Sequence, residues 1–141
     1  MQVRFNARKH AALVGAVAAL VTFSAAAHHS FAIFDHSQTY TLKGTVREFQ
    51  WTNPHGYIDL AVSEGPEGID EFTIELTSIN MLRRAGWRST DVKAGDEVTA
   101  IVAPLLNGQK GGLLLELNVP DGRTLLPPVP AINTFQRTPA P

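Results

Sequence analysis

The chain contains no cysteine. Disulfides, thiolate chemistry and a lipid-modified amino-terminal cysteine are therefore excluded, and a small domain of this kind has to hold itself together by its core alone. Charge is sparse as well, at 18% of 141 residues. No apolar run reaches the roughly 20 residues of a membrane span, since the longest candidate, Ala11 to Phe23, is interrupted by Thr22 and ends in Ser24-Ala25-Ala26-Ala27. Neither a G-x-S-x-G elbow nor an H-E-x-x-H pair occurs, so no hydrolytic mechanism is suggested.

What is present describes an exported protein of one domain. Arg4, Arg8 and Lys9 precede the apolar run, and the small residues after it suit signal-peptide cleavage. Residues 1–27 are read as that signal, 28–126 as the folded domain and 127–141 as a tail, which carries prolines at 127, 128, 130, 139 and 141. All 13 acidic residues lie beyond Ala27 against nine of the 12 basic ones, a net charge of −4 for the mature chain. Nucleic acid is a poor partner for such a surface, because its binding depends on phosphate neutralisation by Lys and Arg. The periplasm or the medium of a bacterium is the expected address, with no membrane span after processing.

The folded part reads as mainly β. Apolar residues alternate at Tyr40, Leu42 and Val46, then switch phase to Phe49 and Trp51, and a one-residue slip near Arg47-Glu48 predicts a β-bulge. Ile58, Leu60 and Val62 face one way on a second strand, with Phe72, Ile74 and Leu76 answering on a third after the Gly65-Pro66-Glu67-Gly68 turn. Ile79, Leu82 and Ala85 recur at helical spacing, with Thr77 or Ser78 as cap and Gly86 as terminator. A fourth strand runs from Glu97 to Ala103. After Asn107-Gly108 a fifth is predicted to turn Leu113, Leu115, Leu117 and Val119 to one face. Three strands, a helix and two strands is the order of a small five-stranded OB-like barrel with one short helix between strands three and four; an open antiparallel sheet is the alternative.

The chemistry-bearing residues are mostly histidines. Ala25 and Ala27 suit cleavage after Ala27, which makes His28 the first residue; cleavage after Ala26 leaves Ala27-His28-His29. In the first case a free amine, the His28 ring and a further imidazole from His29, His36 or His55 suit Cu(II), and also Ni or Zn. In the second, a third-position histidine wraps square-planar Cu(II) or Ni(II). The competing reading is a solvated histidine pair. The apolar residues Phe31, Ile33 and Phe34 are expected to pin the arm that carries these histidines. His55 stands in Asn53-Pro54-His55-Gly56-Tyr57, where proline restrains the corner and glycine frees the backbone, so its ring either serves as a ligand or hydrogen-bonds a neighbouring carbonyl to hold the turn.

Two further groups attract a partner reading. Arg83, Arg84 and Arg88 with Trp87 form a basic-aromatic cluster able to grip a carboxylate, phosphate or sugar ring, or else a wet helix face with Trp87 capping the barrel end. Tyr57, Asp59, Glu71, Thr73 and Glu75 point outward from strands two and three, the surface on which OB-folds often bind ligands.

Ala27-His28-His29-Ser30-Phe31, Leu42-Lys43-Gly44-Thr45-Val46 running to Trp51-Thr52-Asn53-Pro54-His55, Leu82 to Trp87 and Gly95-Asp96-Glu97-Val98 together resemble a family of small exported bacterial proteins of unknown function. The likeness spans roughly His28 to Leu125, with Tyr57 filling the place of an aromatic that usually follows the Asn-Pro-His histidine. It implies export and a single β-rich domain, and brings no activity or cofactor. The expectation is a non-enzymatic periplasmic binding protein with a copper site built from His28, His29 and His55, and His36 in reserve. The alternative is a structural or accessory module docking a protein or saccharide partner through Tyr57, Asp59, Arg83, Arg84 and Trp87.

Overall fold

A computed structural model describes residues 31–63 and 68–129. The signal segment, His28, His29, residues 64–67, which take in three of the four residues of the predicted turn at 65–68, and the tail from 130 lie outside the described residues. The chain forms two units, Met1–Ile33 and Phe34–Pro141. Of the first, the described part is a single 3-10 turn, Phe31–Ile33. Within it Ile33 is 48% exposed, so the pinning expected of it falls to Phe34, which is 3% exposed and forms a bridge with Leu105.

The second unit is a closed five-stranded barrel. Its strands are β1 (Tyr40–Gln50), β2 (Tyr57–Ser63), β3 (Ile69–Glu75), β4 (Glu97–Pro104) and β5 (Gly111–Asn118), and the helix α1 (Ile79–Arg84) lies between β3 and β4. The short β6 (Thr124–Leu125), absent from the sequence expectation, adds to the edge of β5. Antiparallel pairs β1–β2, β2–β3, β1–β4 and β4–β5 leave a gap that a parallel β3–β5 pairing closes, through Thr73↔Gly111, Ile74↔Gly112 and Glu75↔Leu113. This is the OB-like architecture expected from the element order. The sequence permits the closure because β5 begins with two glycines. A Cβ on Gly111 would sit 2.7 Å from the Thr73 carbonyl oxygen, and one on Gly112 2.5 Å from that of Ala103.

Strand period decides what is inside. Leu42 and Val46 of β1, Ile58, Leu60 and Val62 of β2, and Phe72 and Ile74 of β3 join one buried cluster with Leu82 and Trp87. Each such side chain removed from water stabilises by about 1.5–3 kcal/mol. The slip expected in β1 is there: Val46 pairs with Leu60 but Glu48 with Asp59, so Arg47 is the extra residue, and Phe49 and Trp51 turn back to the core in an edge-to-face pair at 5.5 Å. The strict alternation predicted for β5 fails for the same kind of reason. Ile101 pairs with Glu116 and Val102 with Leu114, which makes Leu115 the bulged residue; Leu114, Leu117 and Val119 enter the core cluster and Leu115 stays half-exposed.

Two local details also depart from expectation. Ser78 occupies the cap position of α1 without a side-chain cap hydrogen bond, and the Thr77 hydroxyl goes instead to the Met81 sulfur at 3.4 Å. At the other end Gly86 adopts φ 91°, the left-handed termination foreseen.

The barrel is strongly staggered. From Gln50, at the end of the 11-residue β1, cross-strand partners run to Tyr57, Glu75, Leu113 and Ala103, next to the Val102 that pairs with Tyr40 at the start of β1. The β1–β2 corner thus lies level with the start of β5 and the end of β4.

Candidate functional site

The corner between β1 and β2 is built from the backbone outward. Its Asn53–Pro54 bond is cis. Gly56 donates its N–H to the Thr77 carbonyl at 3.3 Å and accepts from the Leu76 N–H at 2.8 Å, which laces the corner to the segment leaving β3. Gly56 is needed here for its size, not for left-handed backbone freedom: a Cβ would stand 3.3 Å from the Gln50 carbonyl oxygen and 3.7 Å from Leu76 and Leu82.

This lacing brings His55 to Glu75, the last residue of β3, with Nδ1 2.5 Å from Oε1. The side chains are 27% and 18% exposed, respectively. A carboxylate is acceptor only, so the imidazole Nδ1–H is the donor, and in a neutral ring Nε2 then carries the lone pair. The expected carbonyl partner of His55 is thus replaced by a carboxylate, a stronger charge-assisted acceptor. Burial pushes the Glu75 carboxyl above its ordinary value, with the adjacent His55 opposing the rise. Tyr57 stands directly opposite Glu75 in the β2–β3 register, and burial followed by the Glu75 charge pushes its phenol up.

The next rung holds Asp59. Its Oδ1 accepts the Thr73 hydroxyl at 2.8 Å and its Oδ2 accepts the Gln50 amide at 3.1 Å. His55, Tyr57, Glu75, Asp59, Thr73 and Gln50 therefore form a polar strip across the outer faces of β1, β2 and β3. A protein-family model matches residues 12–116, a span that takes in this strip and nearly the whole barrel. The chain belongs to DUF6152, a family of unknown function. No curated protein and no solved structure matches it.

Of the residues singled out in the sequence, the DUF6152 barrel gathers His55, Tyr57 and Asp59 on this strip. His36 lies on the arm, whose neighbouring Asp35 donates its N–H to the Pro104 carbonyl at the end of β4, 2.7 Å away. His28 and His29 fall outside the described residues. Among the described residues no group of three or more His, Asp or Glu side chains could hold a metal ion. The basic-aromatic cluster divides: Arg83 and Arg84 are exposed at the end of α1, whereas Trp87 is 2% exposed and its indole N–H donates to the Leu126 carbonyl at 3.2 Å. An indole in that position has its faces in the core and offers no stacking platform to a sugar.

The pairing of His55 with Glu75 is the feature that sequence reasoning missed in the DUF6152 chain. A signal was available. Folding β2 against β3 about the turn at 65–68 sets Tyr57 opposite Glu75 to within a residue, and His55 is two positions before Tyr57.

Proposed function

We propose that this DUF6152 member is an exported, non-enzymatic binding protein of the bacterial periplasm that takes a copper ion. His55 is the ligand contributed by the barrel, His28 and His29 at the processed amino end are its partners, and His36 is the alternate imidazole. The observation that carries the reading is the oriented His55 ring: metal-binding histidines almost always give their other ring N–H to a carboxylate or carbonyl, and Glu75 fills that role at 2.5 Å. A terminal amine with imidazoles is a nitrogen-rich set suited to Cu(II).

Titration of the mature protein with Cu(II), its amino end fixed by intact mass, tests the reading. His28→Ala and His55→Ala are each expected to weaken binding, and unchanged affinity in both sinks it. The Asp59 carboxylate, held by Thr73 and Gln50 on an outer face, favours a second reading, an accessory module that docks a protein or saccharide partner. Partner capture lost in Asp59→Ala or Arg84→Ala with copper uptake intact would select it.

A further inference from the structure

We propose that the barrel carries a binding site for a small zwitterion of the free amino acid class, in a recess on the outer face of β1 where Lys43 meets a carboxylate and Glu97 an ammonium. The site is separate from the corner that holds His55, and it stands or falls independently of the copper reading.

Strand period places the groups. Leu42 and Val46 of β1, Leu60 and Val62 of β2, and Val98 and Ala100 of β4 belong to the core. Lys43 and Thr45, Ala61 and Ser63, and Glu97 and Thr99 therefore stand on the outer face of the same strands. Register then sets them around one opening, with Lys43 opposite Thr99 and Thr45 between Ala61 and Glu97. These six residues line a recess of about 480 Å³, a volume within the range of small-molecule sites. Ala61 is its floor, 7% exposed although it belongs to the outer face, and Lys43, Ser63 and Glu97 are exposed around it.

The two charges are diagonal neighbours across β1 and β4, an arrangement that sets side chains roughly 7–8 Å apart and leaves long ones able to pair. Among the described residues they form no ion pair with each other. The hydroxyls of Thr45, Ser63 and Thr99 have no hydrogen-bond partner among the described residues either. On the neighbouring polar strip the opposite holds, since Asp59 is taken up by Thr73 and Gln50, and Glu75 by His55. The recess thus presents a cation, an anion and three hydroxyls around an apolar floor. A simple anion there would face Glu97, and a simple cation would face Lys43. A molecule with a carboxylate and an ammonium on one carbon gives each rim charge a charge-assisted hydrogen bond and can rest a small side chain on Ala61. None of the lining residues is aromatic, so a sugar or nucleobase finds no face to stack on.

A solvated sheet face could carry the same residues, and ligand preference separates the two cases. In 1H–15N NMR of the metal-free mature protein, L-alanine titrated over the millimolar range is expected to shift the amides of Lys43, Thr45, Ser63, Glu97 and Thr99. L-lactate replaces the ammonium by a hydroxyl, and L-alaninamide replaces the carboxylate by a neutral amide. Each is expected to bind about fivefold more weakly, the upper end for an exposed charge pair. Lys43→Gln is expected to erase the preference for L-alanine over L-alaninamide and keep that over L-lactate, and Glu97→Gln to do the reverse. Both positions are exposed, and unchanged amide shifts away from the recess will show that the variants fold. The proposal is overturned if L-alanine gives no localised shifts, if the three probes bind alike, or if either variant keeps both preferences. Shifts of the same amides by glucose and not by L-alanine would overturn it as well, and assign the recess to a neutral polyol.

Discussion

Gly44 lies where β1 is paired on both sides, with Val62 on one and Val98 on the other. A Cβ there would collide with the Ala61 carbonyl oxygen and come within 3.1 Å of the Leu60 side chain. Because the first of these is backbone in a paired strand, the clash cannot be relieved by a rotamer change. Gly44→Ala is accordingly expected to cost about 1–3 kcal/mol, the usual range for overpacking, as a lower urea midpoint at unchanged slope. Tyr57 gives a second residue-scale expectation, this one in pH. Its folded phenol resists ionisation relative to the ordinary value of 10.0, owing to burial and then to Glu75. Above pH 10 the unfolded chain releases the proton before the native one does, so the native state binds more protons and stability falls as pH rises through the folded value. Tyr57→Phe is expected to flatten that alkaline slope while leaving stability below pH 10 without it, which denaturation across the alkaline range will show. Glu75 has the same sign lower on the scale. Its raised carboxyl favours the fold fully below 4.5, and that contribution is lost as pH rises through the folded value.

At the scale of elements, the turn after α1 is tied to the β5–β6 hairpin by one carboxylate. The Asp91 side chain is 7% exposed; its Oδ2 accepts the Arg88 N–H at 2.6 Å and its Oδ1 accepts the Arg123 guanidinium at 3.1 Å. Asp91→Ala strips a partner from two donors at once and is expected to cost about 1–3 kcal/mol. Arg123→Ala removes one half-exposed partner, and about 0–1 kcal/mol is expected there. Chemical denaturation of both single variants and the double variant separates the two contributions. Nothing in the sequence announced this tie, because Asp91 and Arg123 are distant in the chain and each reads as an ordinary turn residue. Elements defined by local period were legible: β2 and β3 alternate cleanly, the β1 slip at Arg47 shows as a change of phase, and the order of elements points to the barrel. The Leu115 bulge was hidden by its composition, since Leu113, Leu114 and Leu115 are identical and a run of leucines carries no phase. The histidine of the corner could be singled out by its neighbours Pro54 and Gly56, yet its acceptor belongs to another strand and became visible only with the register. Trp87 beside Arg83 and Arg84 could be read either as a binding cluster or as a wet face with the indole capping the barrel for the converse reason, that adjacency in sequence does not tell which of three side chains the core has taken.

At the scale of the whole molecule, the copper reading makes a claim about stability that no single residue can make. A ligand raises stability only by as much as it prefers the folded to the unfolded chain, about 2.7 kcal/mol at a hundredfold excess over its dissociation constant when it binds the folded state alone. A metal wrapped by the amino-terminal histidines and their amides needs no fold, because the unfolded chain offers the same atoms. Copper would then bind tightly and leave the unfolding transition where it was. A metal shared with His55 depends on the corner, on Glu75 and on the barrel that holds both, so the unfolded chain cannot match it. For a domain of this size about 1 kcal/mol moves the melting temperature by roughly 4–8 °C. Saturating Cu(II) is therefore expected to raise the melting temperature of the mature protein by several degrees, and His55→Ala to abolish the rise while leaving residual binding at the amino terminus. Copper that binds the wild type without shifting its unfolding would assign the metal to the terminal peptide alone and leave the barrel strip to another ligand.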